Sequence, residues 1–175
     1  MNTGNSSIIS FILTVILLIL VEVITTTIFP LFGMSSIRFS FFTLLILFLS
    51  FYKNTNWIVL HIIAFSYIHS IFSVETWYLS SFIGILTSIM VAYFSELIHL
   101  SNRLVTMFFV LIFQIGMMLF RSIVFYLRGN NFEYIFQNFM GHLFEIAFLT
   151  ILAPFVFNIL STVWTIKAES IEEIG

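Results

Sequence analysis

Long apolar runs separated by short polar turns make up most of this chain. The last run, residues 132–162, reads FEYIFQNFMGHLFEIAFLTILAPFVFNILST and contains Gln137, His142 and Glu145, with Pro154 nine residues after the glutamate. An apolar segment of this length is expected to cross a bilayer, which takes about 20 residues. A carboxylate inside it is costly in hydrocarbon, so we expect Glu145 to face protein or a watery cavity and to have a partner.

The same pattern predicts six membrane spans in a single domain. They cover residues 7–29, 37–52, 57–72, 77–98, 104–127 and 132–162, and a short acidic tail, 163–175, follows. Spans 2 and 3 are near the lower limit of about 17 residues, so a re-entrant pair is the alternative for them. The predicted fold class is therefore all-α: a polytopic membrane protein with six transmembrane helices in a compact bundle with short loops.

Composition supports a membrane protein. Hydrophobic residues make up 61% of the chain and charged residues 8%, whereas soluble domains are about 25% charged. Such a chain cannot cover its surface with polar groups, so the lipid bilayer is its expected environment. The first apolar run lacks a basic leading segment and is too long for the core of a signal peptide, so we expect it to remain as a span.

The residue types that are missing exclude several functions. The chain has no Cys and no Asp, which excludes thiolate metal sites, Cys nucleophiles and Asp-based catalytic groups. Six Lys and Arg residues provide no basic patch for nucleic acid. No catalytic motif or phosphate-binding loop is present. We therefore expect no enzyme activity, no cofactor and no metal.

Ionisable residues inside the spans are the candidate functional site. Counting about 1.5 Å per residue, Glu22 and Arg121 lie about 10 Å deep, and His142 and Glu145 about 12 and 17 Å deep. All four fall in the outer half of the bundle, and His142 and Glu145 share a helix face. We expect Arg121 to pair with Glu22 or Glu145, with His142 nearby.

The role of this predicted cluster stays open at this point. It can be an ion-pair network that fixes the packing of the helices, a pocket for a ligand or partner, or a proton relay. His69 and Glu75 lie at the same outer level and are candidates to join it.

A ridge of small residues marks the fourth span. Ser80, Gly84, Ser88 and Ala92 recur every four residues, which lets another helix approach closely. That helix is either another span of this chain or the transmembrane helix of a partner.

Basic residues in the loops favour an orientation with both termini in the cytoplasm. Six spans put the termini on one side, and with the termini inside, Lys53, Arg103 and Lys167 are cytoplasmic while Arg38 and Arg128 are outside.

Two segments resemble the rod-shape-determining MreD family. Residues 37–54, IRFSFFTLLILFLSFYKN, are similar to its second span, with Arg38 at the start but without the proline that follows the Arg in that family. Residues 151–160, ILAPFVFNIL, are similar to its final, proline-containing span. Residues 64–77, AFSYIHSIFSVETW, depart from it, because the family often has glycines and an Asp there.

The resemblance implies a non-enzymatic scaffold of the bacterial cell-elongation machinery in the cytoplasmic membrane. MreD-like proteins partner MreC, a bitopic protein, and through it the synthases that build lateral peptidoglycan and set cell shape. The MreD fold is also considered similar to the substrate-binding subunits of energy-coupling-factor transporters. The alternative is therefore a vitamin-binding subunit of such a transporter, which would need an open outer pocket.

Overall fold

The computed structural model describes residues 3–31, 40–52, 57–73, 76–95, 103–127, 129 and 132–164. Side chains are described from residue 8 onward, except at five positions early in the last helix, residues 132, 134, 135, 137 and 138. Arg38, Glu75, Lys53, Lys167 and Arg128, which entered the sequence-based expectations, lie outside the described residues, as does the side chain of Gln137.

The described part of the chain is all-helical, and no strand occurs in it. We number the helices α1 to α6. They are α1 (Thr3–Val23, continued by a π-helical turn Ile24–Ile28 and a last turn Phe29–Leu31), α2 (Phe41–Tyr52), α3 (Ile58–Phe72), α4 (Trp77–Ser95), α5 (Arg103–Leu127) and α6 (Phe132–Val163). Each predicted span contains one helix.

Four helices are long and apolar enough to cross a membrane. They cover Ile8–Leu31, Trp77–Ser95, Arg103–Leu127 and Phe139–Val163, whereas Phe41–Tyr52 and Ile58–Phe72 are shorter apolar helices. Large apolar side chains lie exposed along the long helices, as Ile16, Tyr93, Phe108 and Phe155 do. Such surfaces suit lipid rather than water.

The short helix α2 is the centre of the packing. Its first ten residues, Phe41–Ser50, are all buried, and it contacts each of the other five helices. A helix that is apolar on every side is expected to be surrounded by others. At about 1.5 Å per residue α2 is about 18 Å long, less than the roughly 30 Å of a hydrocarbon core.

The beginning of α1 and the end of α6 are held together. The Ser10 hydroxyl near the start of α1 donates a hydrogen bond of 2.8 Å to the carbonyl of Val163 at the end of α6. Trp164, the residue after α6, is also buried.

Helix α1 contains a proline near its end. Pro30 lies in the last turn, Phe29–Leu31, directly after the π-helical turn Ile24–Ile28. A proline removes the amide hydrogen that would bond four residues back, and the widened turn occupies that stretch. π-Helical turns of this kind occur frequently at functional sites.

Candidate functional site

Glu145 of α6 holds the beginning of the central helix α2. Its Oε1 accepts a hydrogen bond of 2.9 Å from the backbone N–H of Ser40, the residue just before Phe41. The Ser40 and Thr43 hydroxyls are 2.9 Å apart and share a hydrogen bond. A carboxylate at a helix N-terminus satisfies a free N–H and interacts favourably with the helix dipole. Glu145 therefore caps α2 from a neighbouring helix.

The second carboxylate oxygen of Glu145 is hydrogen-bonded to His142. The distance from His142 Nδ1 to Glu145 Oε2 is 2.6 Å, which the three-residue spacing on one helix face allows. An ionised carboxylate can only accept, so the ring N–H is the donor. The Glu145 side chain is 12% exposed and that of His142 is 42% exposed. Both carboxylate oxygens thus have partners, as a buried carboxylate requires.

A polar cavity of about 100 Å³ lies beside this pair. We call it the polar cavity. It is partly open and is lined by Ser40 and Thr43 at the start of α2, by Gln114, Met117, Met118, Arg121, Ser122 and Phe125 of α5, and by His142, Glu145, Ile146 and Leu149 of α6. Three of the four residues of the predicted cluster, Arg121, His142 and Glu145, therefore line one space.

Gln114 is a buried polar residue of this cavity that was not among the predicted site residues. Its side chain is 4% exposed, and neither its amide nitrogen nor its amide oxygen has a hydrogen-bond partner within the described part of the chain. A buried polar group without a partner costs about 1–3 kcal/mol. The available signal was a glutamine seven residues before Arg121, two helical turns away on the same side.

Glu22, the fourth residue of the predicted cluster, has a different partner. Its Oε1 lies 2.6 Å from Nδ1 of His69 on α3, and both side chains are buried. The His69 ring stacks on Phe42 of α2, with ring centroids 4.7 Å apart and an angle of 7° between the planes. The expected partner Arg121 is thus replaced by His69, and Glu22 is not among the residues that line the polar cavity.

The π-helical turn begins just after Glu22. The hydroxyls of Thr25 and Thr26 both donate to the Glu22 carbonyl, at 3.0 and 2.6 Å. Two hydroxyls thus stabilise the backbone where the helix widens, and they fix the residue whose carboxylate meets His69.

The small-residue ridge of α4 lies inside the protein over most of its length. Ser80, Gly84 and Ser88 are buried, and Ala92 is partly exposed. A Cβ atom on Gly84 would lie 2.7 Å from Ile62 Cγ2 and 2.8 Å from Ile46 Cδ1. The chain's own helices α2 and α3 therefore occupy the ridge at Gly84, which corresponds to the internal of the two packing alternatives.

An apolar groove of about 700 Å³ lies on the other side of α5. We call it the α4–α5 groove, because these two consecutive helices touch at few residues along it. Its walls are formed by Ile83, Leu86, Thr87, Met90 and Phe94 of α4 and by Val105, Phe108, Phe109, Ile112, Phe113, Gly116, Met117, Leu119, Phe120 and Ile123 of α5. Met117 belongs to the walls of both the groove and the polar cavity.

Comparison of the chain with protein-family models, with curated proteins and with solved structures finds no match. The groove, the cavity and the two carboxylate–imidazole pairs are the features of the described residues that bear on function.

Proposed function

We propose that this chain is a non-enzymatic scaffold of the bacterial cytoplasmic membrane, with six spans in one bundle and both termini in the cytoplasm. It holds a bitopic, MreC-like protein by that protein's single transmembrane helix. Through this partner it takes part in cell elongation and peptidoglycan synthesis. The observation that supports the proposal is the α4–α5 groove.

The length and lining of the groove suit an apolar transmembrane helix. On α5 the lining runs from Val105 to Ile123, which at about 1.5 Å per residue is about 27 Å. That is close to the roughly 30 Å thickness of the hydrocarbon core. Thr87 is the one side chain with a polar atom among the described lining residues. An occupant of this groove is therefore long and apolar.

Gly116 gives the groove a place for close backbone approach. It is exposed, and a Cβ atom built on it would meet nothing within 4 Å. Small residues at such positions allow two transmembrane helices to pack closely. Docking of a partner helix was one of the two expectations for the ridge around Gly84. Side chains of this chain occupy the space beside Gly84, whereas the space beside Gly116 in the groove is empty.

The size of the polar cavity favours a scaffold over a vitamin-binding subunit. Pockets for small organic molecules measure about 300–1,000 Å³, and the polar cavity measures about 100 Å³. Its described lining also contains a single aromatic residue, Phe125, where a vitamin binder needs stacking aromatic rings.

The first test replaces Gly116 by leucine. Gly116→Leu fills the floor of the groove and is expected to reduce copurification of a co-expressed MreC-like protein at least fivefold, because the partner helix can no longer approach. Gly141→Leu is the matched control, since Gly141 is an exposed helical glycine on α6 that also meets nothing within 4 Å. Equal recovery of the partner with both variants would contradict the proposal.

Crosslinking tests the position of the partner directly. The chain has no Cys, so a single introduced Cys gives an unambiguous product. Phe108→Cys in the groove should crosslink to a Cys in the partner's helix, whereas Ile151→Cys, an equally lipid-exposed position on α6, should not. Copurification of lipid alone, with no crosslink at residue 108, would show that lipid fills the groove.

A further inference from the structure

Among the described residues that line the polar cavity, Gln114 has an amide whose hydrogen-bonding groups are unused. Both oxygens of Glu145 have partners, and Ser40 and Thr43 bond to each other. Gln114 is buried in the cavity wall with no partner for its amide nitrogen or oxygen among the described residues. Glu145 therefore links α6 to the start of α2 and is paired with His142, and the Gln114 amide is left to bind another group.

We propose that the polar cavity is a binding site for a planar group that accepts and donates hydrogen bonds side by side, a carboxamide or an un-ionised carboxylic acid. A glutamine amide presents an N–H donor and a carbonyl acceptor in one plane. The matching group must offer the reverse pair. An ionised carboxylate can only accept, so it would leave the Gln114 oxygen unsatisfied.

The volume limits the ligand to a small group. The cavity of about 100 Å³ corresponds to roughly three water molecules at about 30 Å³ each. A carboxamide with its first carbon atoms fits this space, but a ring system of vitamin size does not. Arg121 lines the same cavity, and a guanidinium with five N–H donors can serve more than one acceptor. It can therefore add a hydrogen bond to the ligand carbonyl.

Met117 gives the cavity a possible entrance from the bilayer. Its side chain belongs to the wall of the polar cavity and to the wall of the apolar α4–α5 groove, and it is buried. Methionine is unbranched and flexible, so a change in the rotamer of the Met117 side chain would connect the two spaces. The same polar group can thus come from the end of a fatty amide in the membrane or from a short amide dissolved in water. This site does not depend on the proposed partner helix, and its test needs the isolated protein alone.

The sequence offers a direct probe, because Gln114 and Gln137 are its only glutamines. Protein labelled with ¹⁵N at glutamine side chains, in nanodiscs of phosphatidylethanolamine and phosphatidylglycerol, gives two side-chain amide signals, which Gln114→Leu and Gln137→Leu assign. Oleamide and acetamide are the probes, and octadecene, which has the apolar chain without the amide, is the control. We expect the Gln114 signal to shift with an amide probe, and the Gln137 signal to stay in place.

Substitution of Gln114 distinguishes a loss of ligand binding from a loss of protein stability. Gln114→Leu should weaken amide binding about tenfold or more through loss of two hydrogen bonds, while the unliganded protein stays as stable as the parent, because a buried unsatisfied amide is removed. A Gln114 signal that no amide moves, or equal binding by Gln114→Leu, would overturn the proposal and leave a cavity that holds water only.

Met117→Phe distinguishes the two sources of the ligand. If the group arrives from the membrane, this variant should slow or weaken oleamide binding and leave acetamide binding unchanged. Binding of acetamide alone, unaffected by Met117→Phe, supports the same site with a ligand from water. Met140→Phe on α6 is the matched control, because Met140 is exposed and lines neither space.

Discussion

Glu22 and Glu145 are each held by a histidine at 2.6 Å. One pair links α1 to α3 and stacks on Phe42 of α2. The other lies within α6 and also caps α2 through Ser40. Both carboxylates therefore act on the first turns of the same central helix. A carboxylate inside an apolar bundle needs such partners, because its desolvation is not otherwise compensated.

The pair formed by Glu22 and His69 should be strongly coupled. His69→Phe keeps a ring for stacking on Phe42 but leaves the Glu22 carboxylate buried and unpaired, so we expect a loss of about 3–5 kcal/mol of stability. The double variant Glu22→Met/His69→Phe should recover most of this loss, because neither polar group then remains. Unfolding in detergent followed by circular dichroism measures both effects.

Ser70→Ala controls for substitution in the same turn, since among the described residues the Ser70 hydroxyl bonds to the Tyr67 carbonyl alone. Additive losses from Glu22→Met and His69→Phe would mean that the two side chains contribute independently, contrary to this prediction.

At the scale of elements, the contact of α4 with α2 and α3 depends on Gly84. The methyl groups of Ile46 and Ile62 occupy the space where a side chain would begin. A neighbouring face of α4 lines the α4–α5 groove, so one helix combines a tightly packed side and an open side. Small residues set the first of these, and large apolar residues such as Met90 and Phe94 line the second.

Gly84→Ala should destabilise the protein by about 1–3 kcal/mol, because a Cβ at 2.7 Å from Ile62 forces the packed helices apart. Gly141→Ala should instead be neutral or stabilising by up to about 1 kcal/mol, since it gains helix propensity in open space. Thermal unfolding of the two variants in one detergent compares them. Gly84→Ala/Ile46→Val, which removes the Ile46 methyl group in question, should regain part of the loss. A Gly84→Ala protein as stable as Gly141→Ala would refute the close contact.

At the scale of the whole molecule, α2 differs from the helices around it. The long ones, among them α1 and α5, expose large apolar side chains on their outer faces. The short helix α2 exposes almost nothing over residues 41–50. A membrane protein organised in this way has lipid around its long helices and protein around α2.

A photoreactive apolar reagent dissolved in the bilayer should therefore label α1, α5 and α6 but not residues 41–50. Peptide mapping by mass spectrometry gives the label per helix, and protein unfolded in detergent, in which α2 becomes accessible, is the control. Labelling of residues 41–50 at the level of α1 would show that α2 faces lipid.

The sequence by itself determined that the described part of the chain is helical and apolar, because composition and the spacing of polar turns decide these features locally. It predicted six spans, of which four are helices long and apolar enough to cross a membrane. It also predicted that Arg121, His142 and Glu145 lie close together, and these three residues line one cavity. Only the tertiary structure decided that Glu22 pairs with His69 and that Gln114 lines a cavity. It also decided that neighbouring side chains occupy the space beside Gly84, whereas the space beside Gly116 is empty. These features depend on the rotation of each helix about its own axis, and helices that are apolar on nearly all sides carry little sequence signal that sets this rotation.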